Sequence, residues 1–334
     1  MSHEYPSKVL ITGGREVGGV TSFAEGLCAG FTELGVSVEI VPPSGVFRRW
    51  RDLRNPRILK ILGTSAIFAA PLARRAICVA HGFPCAAHQG WVNTLAKLAS
   101  YRMATASRGA QFVPVSDYSA LHLHFIFNLR VDAVIRNPLH PLFIEEANLT
   151  NANREALVFV GRLHQAKNVD LLLPAMLDVL DENPGLRAWI IGDGPTRPQL
   201  ERIAAGDSRI EFLGSLEPVQ VRERLRRSCV FVSGCPHEAL GIAYIEALSQ
   251  GCAVAMPASG GGLEIAPELI GKQIQLFPVA EQREAVAAAL GAALRAESTA
   301  VSLARYSPRA VAEAYLAVDA RFSAKGDFRA VAAT

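Results

Sequence analysis

The feature that most constrains this chain is a repeating pattern, run through twice. Short apolar segments that end in glycine or a small polar turn alternate with longer amphipathic ones. In the first half the short segments are "KVLITGG", "VSVEIVP", "AICVAHGFP", "QFVPVS" and "VDAVIRNP". A polar stretch, "LHPLFIEEANLTNANRE", reads as a linker. The pattern then restarts with "ALVFVGRL", "RAWIIGDG", "RIEFLGSL", "CVFVSG", "CAVAMPAS" and "QIQLFP". Strands alternating with helices predict parallel sheets. Two such runs predict an α/β protein of two doubly wound Rossmann-like domains facing across a cleft. The expected division is a first domain over residues 1–145 and a second over 155–300. Residues 301–334 would be helices packing back on the first domain. Pro308 is expected to split the helical stretch from about Val279 to Ala324 in two.

The 334 residues, half of them hydrophobic, suffice for two full cores. No apolar run reaches the ~18 residues that span a bilayer. The opening "MSHEYPSK" lacks the pattern of a secretory signal. Cys28, Cys78, Cys85, Cys229, Cys235 and Cys252 are irregularly spaced with no C-x-x-C pair, as expected for reduced thiols in a cytoplasmic protein rather than a disulfide framework or zinc site. Net charge is +3 but unevenly divided. Residues 1–138 hold 15 Lys and Arg against 8 Asp and Glu, and the remainder 19 against 23. A basic first half suggests an anionic surface for it to face.

In doubly wound sheets ligands bind beyond the carboxyl ends of the strands, so the loops there matter most. "TGGREVGG" (residues 12–19) is a glycine-rich turn that lets backbone N–H groups approach a phosphate. It does not fit the dinucleotide patterns, and by itself it is also what any tight βα turn needs. "VGRLHQAKN" sets Arg162 and Lys167 behind a strand, where a guanidinium fork and an ammonium can neutralise a diphosphate. "GCPHEALGIAYIEALSQG" carries Glu238 and Glu246, eight positions apart. On one helix they would be offset by roughly 80°, a poor arrangement for sharing a proton and a good one for gripping different parts of a long ligand. With a helix starting near Leu240, its free N–H groups would point into the cleft. A carboxylate can take both hydroxyls of a ribose. His81 in "HGFP" ends a strand and suits either a sugar contact or a structural hydrogen bond. His122 and His124 of "LHLHF" fall on a helical segment that splits them. The chain has no D-x-D, so no metal clamped between carboxylates is expected.

Read together, "GRLHQAKN", "IIGDGP", "FLGSL" and "HEALGIAYIEALSQGCAVAMPASGGGLEI" resemble the nucleotide-sugar domain of retaining glycosyltransferases of the GT-B fold, family 4 in particular. The first half is similar more loosely, through "GGV", "HGFP", "VSDYSA" and "NPLHPLF". Glu238 and Glu246 match that family's E-x7-E pattern. The resemblance implies that Glu238 contacts the donor sugar's hydroxyls, Glu246 the ribose, and Arg162 and Lys167 the diphosphate. Gly18 and Gly19 would approach the diphosphate, and His81 would lie near the anomeric carbon. Gly161, Leu216, Leu240, Gly241 and Ile242 would complete the donor site. No cofactor or metal is implied beyond the donor, a UDP or GDP sugar. The sequence departs from the family at Leu240, where an aromatic residue is common, and in residues 260–262, a long glycine run without the frequent proline before Glu264.

The expected acceptor is a sugar or lipid-linked glycan, which would make the chain a builder of cell-surface polysaccharide or lipopolysaccharide. "RRWRDLRNPRILK", from Arg48 to Lys60, carries six cations against Asp52, with Phe47, Trp50 and Leu53 interleaved. Followed by the apolar "ILKILGTSAIFAAPLA", it reads either as a solvated helix face before a core helix or, as the uneven charge favours, as a segment for peripheral docking on the anionic inner face of the plasma membrane. Nothing suggests nucleic-acid reading. Two other readings are a nucleotide-sugar 2-epimerase, disfavoured by the scarcity of acidic residues at first-half strand ends, and a non-catalytic nucleotide-sugar-binding module, disfavoured by the intact motif set.

Overall fold

A computed structural model describes residues 6–13, 19–144, 154–279, 282–297 and 303–331. The chain divides into two units. The first is Met1–Pro141 with Ala304–Thr334, and the second is Leu142–Leu303.

In the first unit, five described strands form a wholly parallel sheet: β1 (Lys8–Thr12), β2 (Val38–Val41), β3 (Ile58–Leu62), β4 (Ala76–Ala80) and β5 (Ala110–Pro114), in the order β2-β1-β3-β4-β5. This is the doubly wound 2-1-3-4-5 order. β3, β4 and β5 are buried along their whole length, as strands covered on both faces must be. The helices are α1 (Gly19–Glu33), α2 (Trp50–Arg54), α3 (Ala86–Ala106, broken at Gly90, φ +76°), α4 (Asp117–Leu121) and, from the end of the chain, a helix over Pro308–Val331. That terminal helix, numbered α10 below, packs along α1. Its Asp319 is 2% exposed and accepts from Arg75 Nε (3.0 Å) and Nη2 (2.8 Å).

Two expectations are corrected. "VDAVIRNP" forms no strand: residues 131–140 make only two backbone bonds to β5, Asp132 N–H to Phe112 O and Ile135 N–H to Pro114 O. The Asp132 carboxylate also accepts from the Phe112 N–H (2.7 Å), and Pro138 can offer no N–H to a ladder. "ILKIL" in turn is not an interfacial segment but β3 at the centre of the sheet. Ala66, Ile67, Ala69 and Ala70 after it are buried too. Lys60 is fully buried, donating to the carbonyls of Asn55 (2.6 Å) and Arg74. Burial, reinforced by the nearby Arg75 charge, lowers its pKa to about 8. It is unavailable to any membrane.

In the second unit, β6 (Ala156–Val160), β7 (Arg187–Ile191), β8 (Ile210–Gly214), β9 (Ser228–Val232), β10 (Ala253–Pro257) and β11 (Ile274–Phe277) form a parallel sheet in the order β11-β10-β9-β6-β7-β8. This is the 3-2-1-4-5-6 Rossmann order. The helices are α5 (Val169–Glu182), α6 (Arg197–Ala204), α7 (Pro218–Arg226), α8 (Ile242–Ser249) and α9 (Arg283–Leu294), which makes the terminal Pro308–Val331 helix α10. One core of Val, Leu, Ile and Phe from β6, β7, β9 and β10 packs against α5 and α9. α7 starts sharply because Pro218 sits in its first turn and Glu217 and Gln220 cap each other's backbone.

Candidate functional site

In a 3-2-1-4-5-6 sheet the strand order reverses between β6 and β9, and the loops leaving these two strands splay apart to leave a crevice. These loops hold Arg162 and Lys167 after β6, and Glu238 after β9. Lys167 Nζ donates to Glu238 Oε2 at 2.5 Å, both side chains being about three-quarters buried. Burial alone would weaken the Lys167 ammonium. The Glu238 carboxylate outweighs that and holds its pKa above the usual lysine range. Arg162 is exposed and lies near enough for its charge to act on Lys167.

The backbone around this pair is held tightly. The β6 loop is bonded to its neighbours through Gly161 N–H to Ile191 O, Leu163 N–H to Asp193 O and Thr196 N–H to Leu163 O. His164 Nδ1 takes the Ala166 N–H and shapes the turn leading to Lys167. On the β9 side the glycine run presses against the Glu238 loop. Gly261 N–H donates to Glu238 O (2.8 Å), and a Cβ at Gly261 would lie 2.0 Å from Ala239 O, so no side chain fits. Ser259 Oγ donates to Pro236 O (2.7 Å). The long glycine run that departs from the family pattern is thus what fixes Glu238.

α8 begins at Ile242, two residues later than expected. Gly241 precedes it at φ +85°, a conformation natural to glycine. Glu238 therefore lies outside the helix and Glu246 just over one turn inside it, and the two are not on one continuous helix. Glu246 is 8% exposed and has no ion-pair partner among the described residues. Burial pushes its pKa up to about 7. Leu240 is buried, whereas Gly161, Gly241, Ile242 and Leu216, the last just beyond β8, are half-buried.

Sequence reasoning missed two members of this cluster. Cys235 is buried against Lys167 and Glu238, its thiol raised to about 11 by burial and by that carboxylate. Tyr244 packs edge-on to Phe231 at 5.6 Å with its hydroxyl reaching Ser233. Tyr244 stands within the E-x7-E segment, and its apolar neighbours disguise it as core.

In the first unit His81 follows β4. Its N–H donates to Thr64 Oγ1 (3.2 Å), and its ring meets Phe23 edge-on at 4.5 Å. Burial, with the Lys97 charge nearby, lowers its pKa to about 4, so the ring is neutral near pH 7. Its Nε2 is sealed from solvent and lacks a hydrogen-bond partner. Gly18 lies outside the described residues, and Gly19 opens α1. His122 and His124 bond separate carbonyls, of Tyr118 and Leu129. Among the described residues no group of three or more His, Cys, Asp or Glu is placed to hold a metal.

Comparison with known proteins meets this geometry. Residues 154–296 match the model described as glycosyl transferases group 1. This segment, less than half of the chain, is similar to the group 1 glycosyl transferases. Over 145 residues the chain is 31% identical to the sulfoquinovosyl transferase SQD2 of Arabidopsis thaliana, covering 43% of this chain and 28% of that one. Over 114 residues it is 32% identical to the phosphatidylinositol N-acetylglucosaminyltransferase gpi3 subunit of Schizosaccharomyces pombe, covering 33% and 25%. The match thus spans less than a third of either curated relative. Among solved structures, WaaG, a glycosyltransferase involved in lipopolysaccharide biosynthesis, superposes with TM-score 0.65 at 14% identity over 92% of this chain and 95% of that one. HepE from Anabaena, in complex with UDP and glucose, superposes with TM-score 0.67 at 14% identity over 97% and 100%. The fold of this chain is GT-B.

Glu246 carries a pH prediction. On the ribose role that the family resemblance implies for Glu246, a diol would donate to the ionised carboxylate, so donor affinity is expected to fall as pH drops below about 7, by about tenfold per unit once the group is mostly protonated. Folding stability has the opposite sign. Because the folded-state pKa is raised, the contribution of Glu246 is complete below the ordinary carboxylate value and is lost as pH rises through 7. Donor Kd measured from about pH 5.5 to 8.5 checks this. Glu246→Gln should remove that pH dependence.

Proposed function

We propose that the protein is a retaining glycosyltransferase that moves a sugar from a nucleoside diphosphate donor, UDP- or GDP-linked, to a sugar or lipid-linked glycan acceptor in cell-surface glycan synthesis. One observation carries the reading. At the switch point of the Rossmann-ordered sheet, Lys167 and Glu238 meet at 2.5 Å, beside Arg162 and with the buried Glu246 on the following helix. Lys167 is held charged for an anion, and Glu238 and Glu246 are spaced for the two ends of a nucleotide sugar. Glu238 would take the sugar's hydroxyls, Glu246 the ribose, and Arg162 and Lys167 the diphosphate. Gly161, Leu216, Leu240, Gly241 and Ile242 would line the donor.

In this reaction the bond from the anomeric carbon to the diphosphate oxygen breaks through an oxocarbenium-like state. Negative charge then grows on the leaving group, and fixed cations stabilise it most at that moment. For His81 the family's role beside the anomeric carbon is carried over as part of the proposal.

Phosphatidylinositol N-acetylglucosaminyl transfer, named for one relative, supports a lipid-linked acceptor. Peripheral docking on the anionic inner face of the membrane belongs to the same proposal. Arg48, Arg51, Arg54 and Arg57 are exposed alongside Phe47 and Trp50, while Arg49 is bound by Glu39 and Asp52 and Lys60 is buried. No described helix is long and apolar enough to cross a membrane.

The test is slow hydrolysis of a UDP-, GDP- and ADP-sugar panel, with the product anomer read by NMR. One nucleotide should dominate, and the donor's own anomer should be released first. Since Arg162 and Lys167 supply the charge neutralisation and no D-x-D is present, activity should persist in excess EDTA. Complete loss restored by Mg²⁺ or Mn²⁺ would contradict that part, and hydrolysis of none of the panel would contradict the whole.

A further inference from the structure

α3 carries an apolar face that nothing described covers. The helix breaks at Gly90 and restarts, with Thr94 Oγ1 bonding back to Gly90 O (2.8 Å). From there it buries Thr94, Tyr101 and Ala104, with Leu98 packed against the core, while Trp91, Val92 and Leu95 face solvent. A second group, Leu121, Phe125 and Ile126, lies at the end of α4 and in the π-helical turn His122–Ile126. These six are 56–81% exposed. The two groups are linked through Phe83, whose carbonyl accepts from Lys97 of α3 (3.4 Å) and whose ring stacks on His122 at 4.6 Å. The side chains of α3, the π turn and the Phe47-bearing segment all pack into one core cluster, on one side of the sheet.

Charge narrows the partner. Residues 53–116 contain no Asp or Glu and eight Lys or Arg. On this side Arg102 and Arg108 are exposed, and Lys97 has no carboxylate partner among the described residues. A soluble protein seldom leaves six large apolar side chains exposed in one region. An apolar face fringed by cations, whose flanking acids Asp117 and Asp132 are paired with Arg136 and Arg130, fits an anionic lipid surface, where apolar groups enter the interface and cations meet phosphates.

We propose that this face, Trp91, Val92 and Leu95 with Leu121, Phe125 and Ile126, inserts into the interface of an anionic phospholipid bilayer, with the Arg48 to Arg57 segment at headgroup level beside it. The proposal deepens the docking suggested above and rests on that reading for the acceptor's lipid nature. The residues that enter the bilayer would be those of α3 and the π turn, rather than Trp50 and its neighbours.

Tryptophan reports on this directly, because the chain has only Trp50, Trp91 and the buried Trp189. Full-length protein is mixed with phosphatidylglycerol or phosphatidylcholine vesicles containing brominated lipid. Quenching and a blue shift are expected with the anionic vesicles, retained in Trp50→Phe and lost in Trp91→Phe. A Leu95→Ser/Phe125→Ser variant should pellet with anionic vesicles several-fold less, with wild-type melting and unchanged nucleotide binding. Nucleotide binding in the same samples separates failure of docking from failure of the donor reading. Quenching retained in Trp91→Phe, or equal binding to neutral vesicles, would overturn the proposal. So would a concentration-dependent dimer abolished by Leu95→Ser/Phe125→Ser, which would assign the face to a second copy.

Discussion

Replacing Lys167 by alanine is expected to lower kcat/KM for sugar transfer by about two to three orders of magnitude, mostly through kcat. Its ammonium lies 2.5 Å from Glu238, so in the ligand-free site the two charges balance each other. A donor diphosphate would exchange one anionic partner for another at the same nitrogen, without fresh desolvation of the cation. The charge on that partner then grows in the transition state, so the loss should fall on turnover more than on binding. Arg162→Ala should act in the same direction, and less strongly because Arg162 is exposed. Lys167 and Glu238 hold each other, so the Lys167→Ala/Glu238→Ala double variant should lose less than the two single losses multiplied together. Steady-state kinetics of the four proteins measures this. Near-normal kcat/KM in both Lys167→Ala and Arg162→Ala would contradict the assignment.

Arg75→Ala is expected to destabilise the first unit by about 3–5 kcal/mol, because it strands the buried Asp319 carboxylate. Arg75 binds Asp319 through Nε and Nη2 and the Pro56 carbonyl through Nη1 (3.2 Å), tying α10 to the start of β3 and β4. The residue also occupies φ +58°, so the site combines backbone and ionic demands. Arg75→Ala with Asp319→Leu should recover most of the loss, since it removes the stranded charge with its partner. Denaturant unfolding read through tryptophan emission separates the units, Trp50 and Trp91 being in the first and Trp189 in the second. An unchanged first-unit midpoint in Arg75→Ala would refute this.

Legibility differed between the two halves for physical reasons. All six strands of the second sheet were visible, because each is a short apolar run closed by a glycine, a proline or a small polar turn. In the first sheet β3 was hidden by Lys60. A lysine amid arginines reads as surface, and only tertiary structure supplies the carbonyls of Asn55 and Arg74 that satisfy it. "VDAVIRNP" misled in the opposite direction: its alternation is strand-like, but the Asp132 side chain bonds the β5 backbone itself. At the site, Arg162, Lys167, Glu238 and Glu246 were legible from their place after strands. The pairing of Lys167 with Glu238 was not, because it spans 71 residues and depends on β6 lying next to β9. The exposed face of α3 was equally hidden, since Trp91, Val92 and Leu95 have the spacing of a buried stripe.

The most direct test of the central claim is equilibrium binding of UDP, GDP and ADP, measured by calorimetry near pH 8. Wild type is predicted to bind one of them saturably, with at least about tenfold weaker binding in Glu246→Ala. No saturable binding of any of the three, or equal affinity in wild type, Glu246→Ala and Lys167→Ala, would contradict the account.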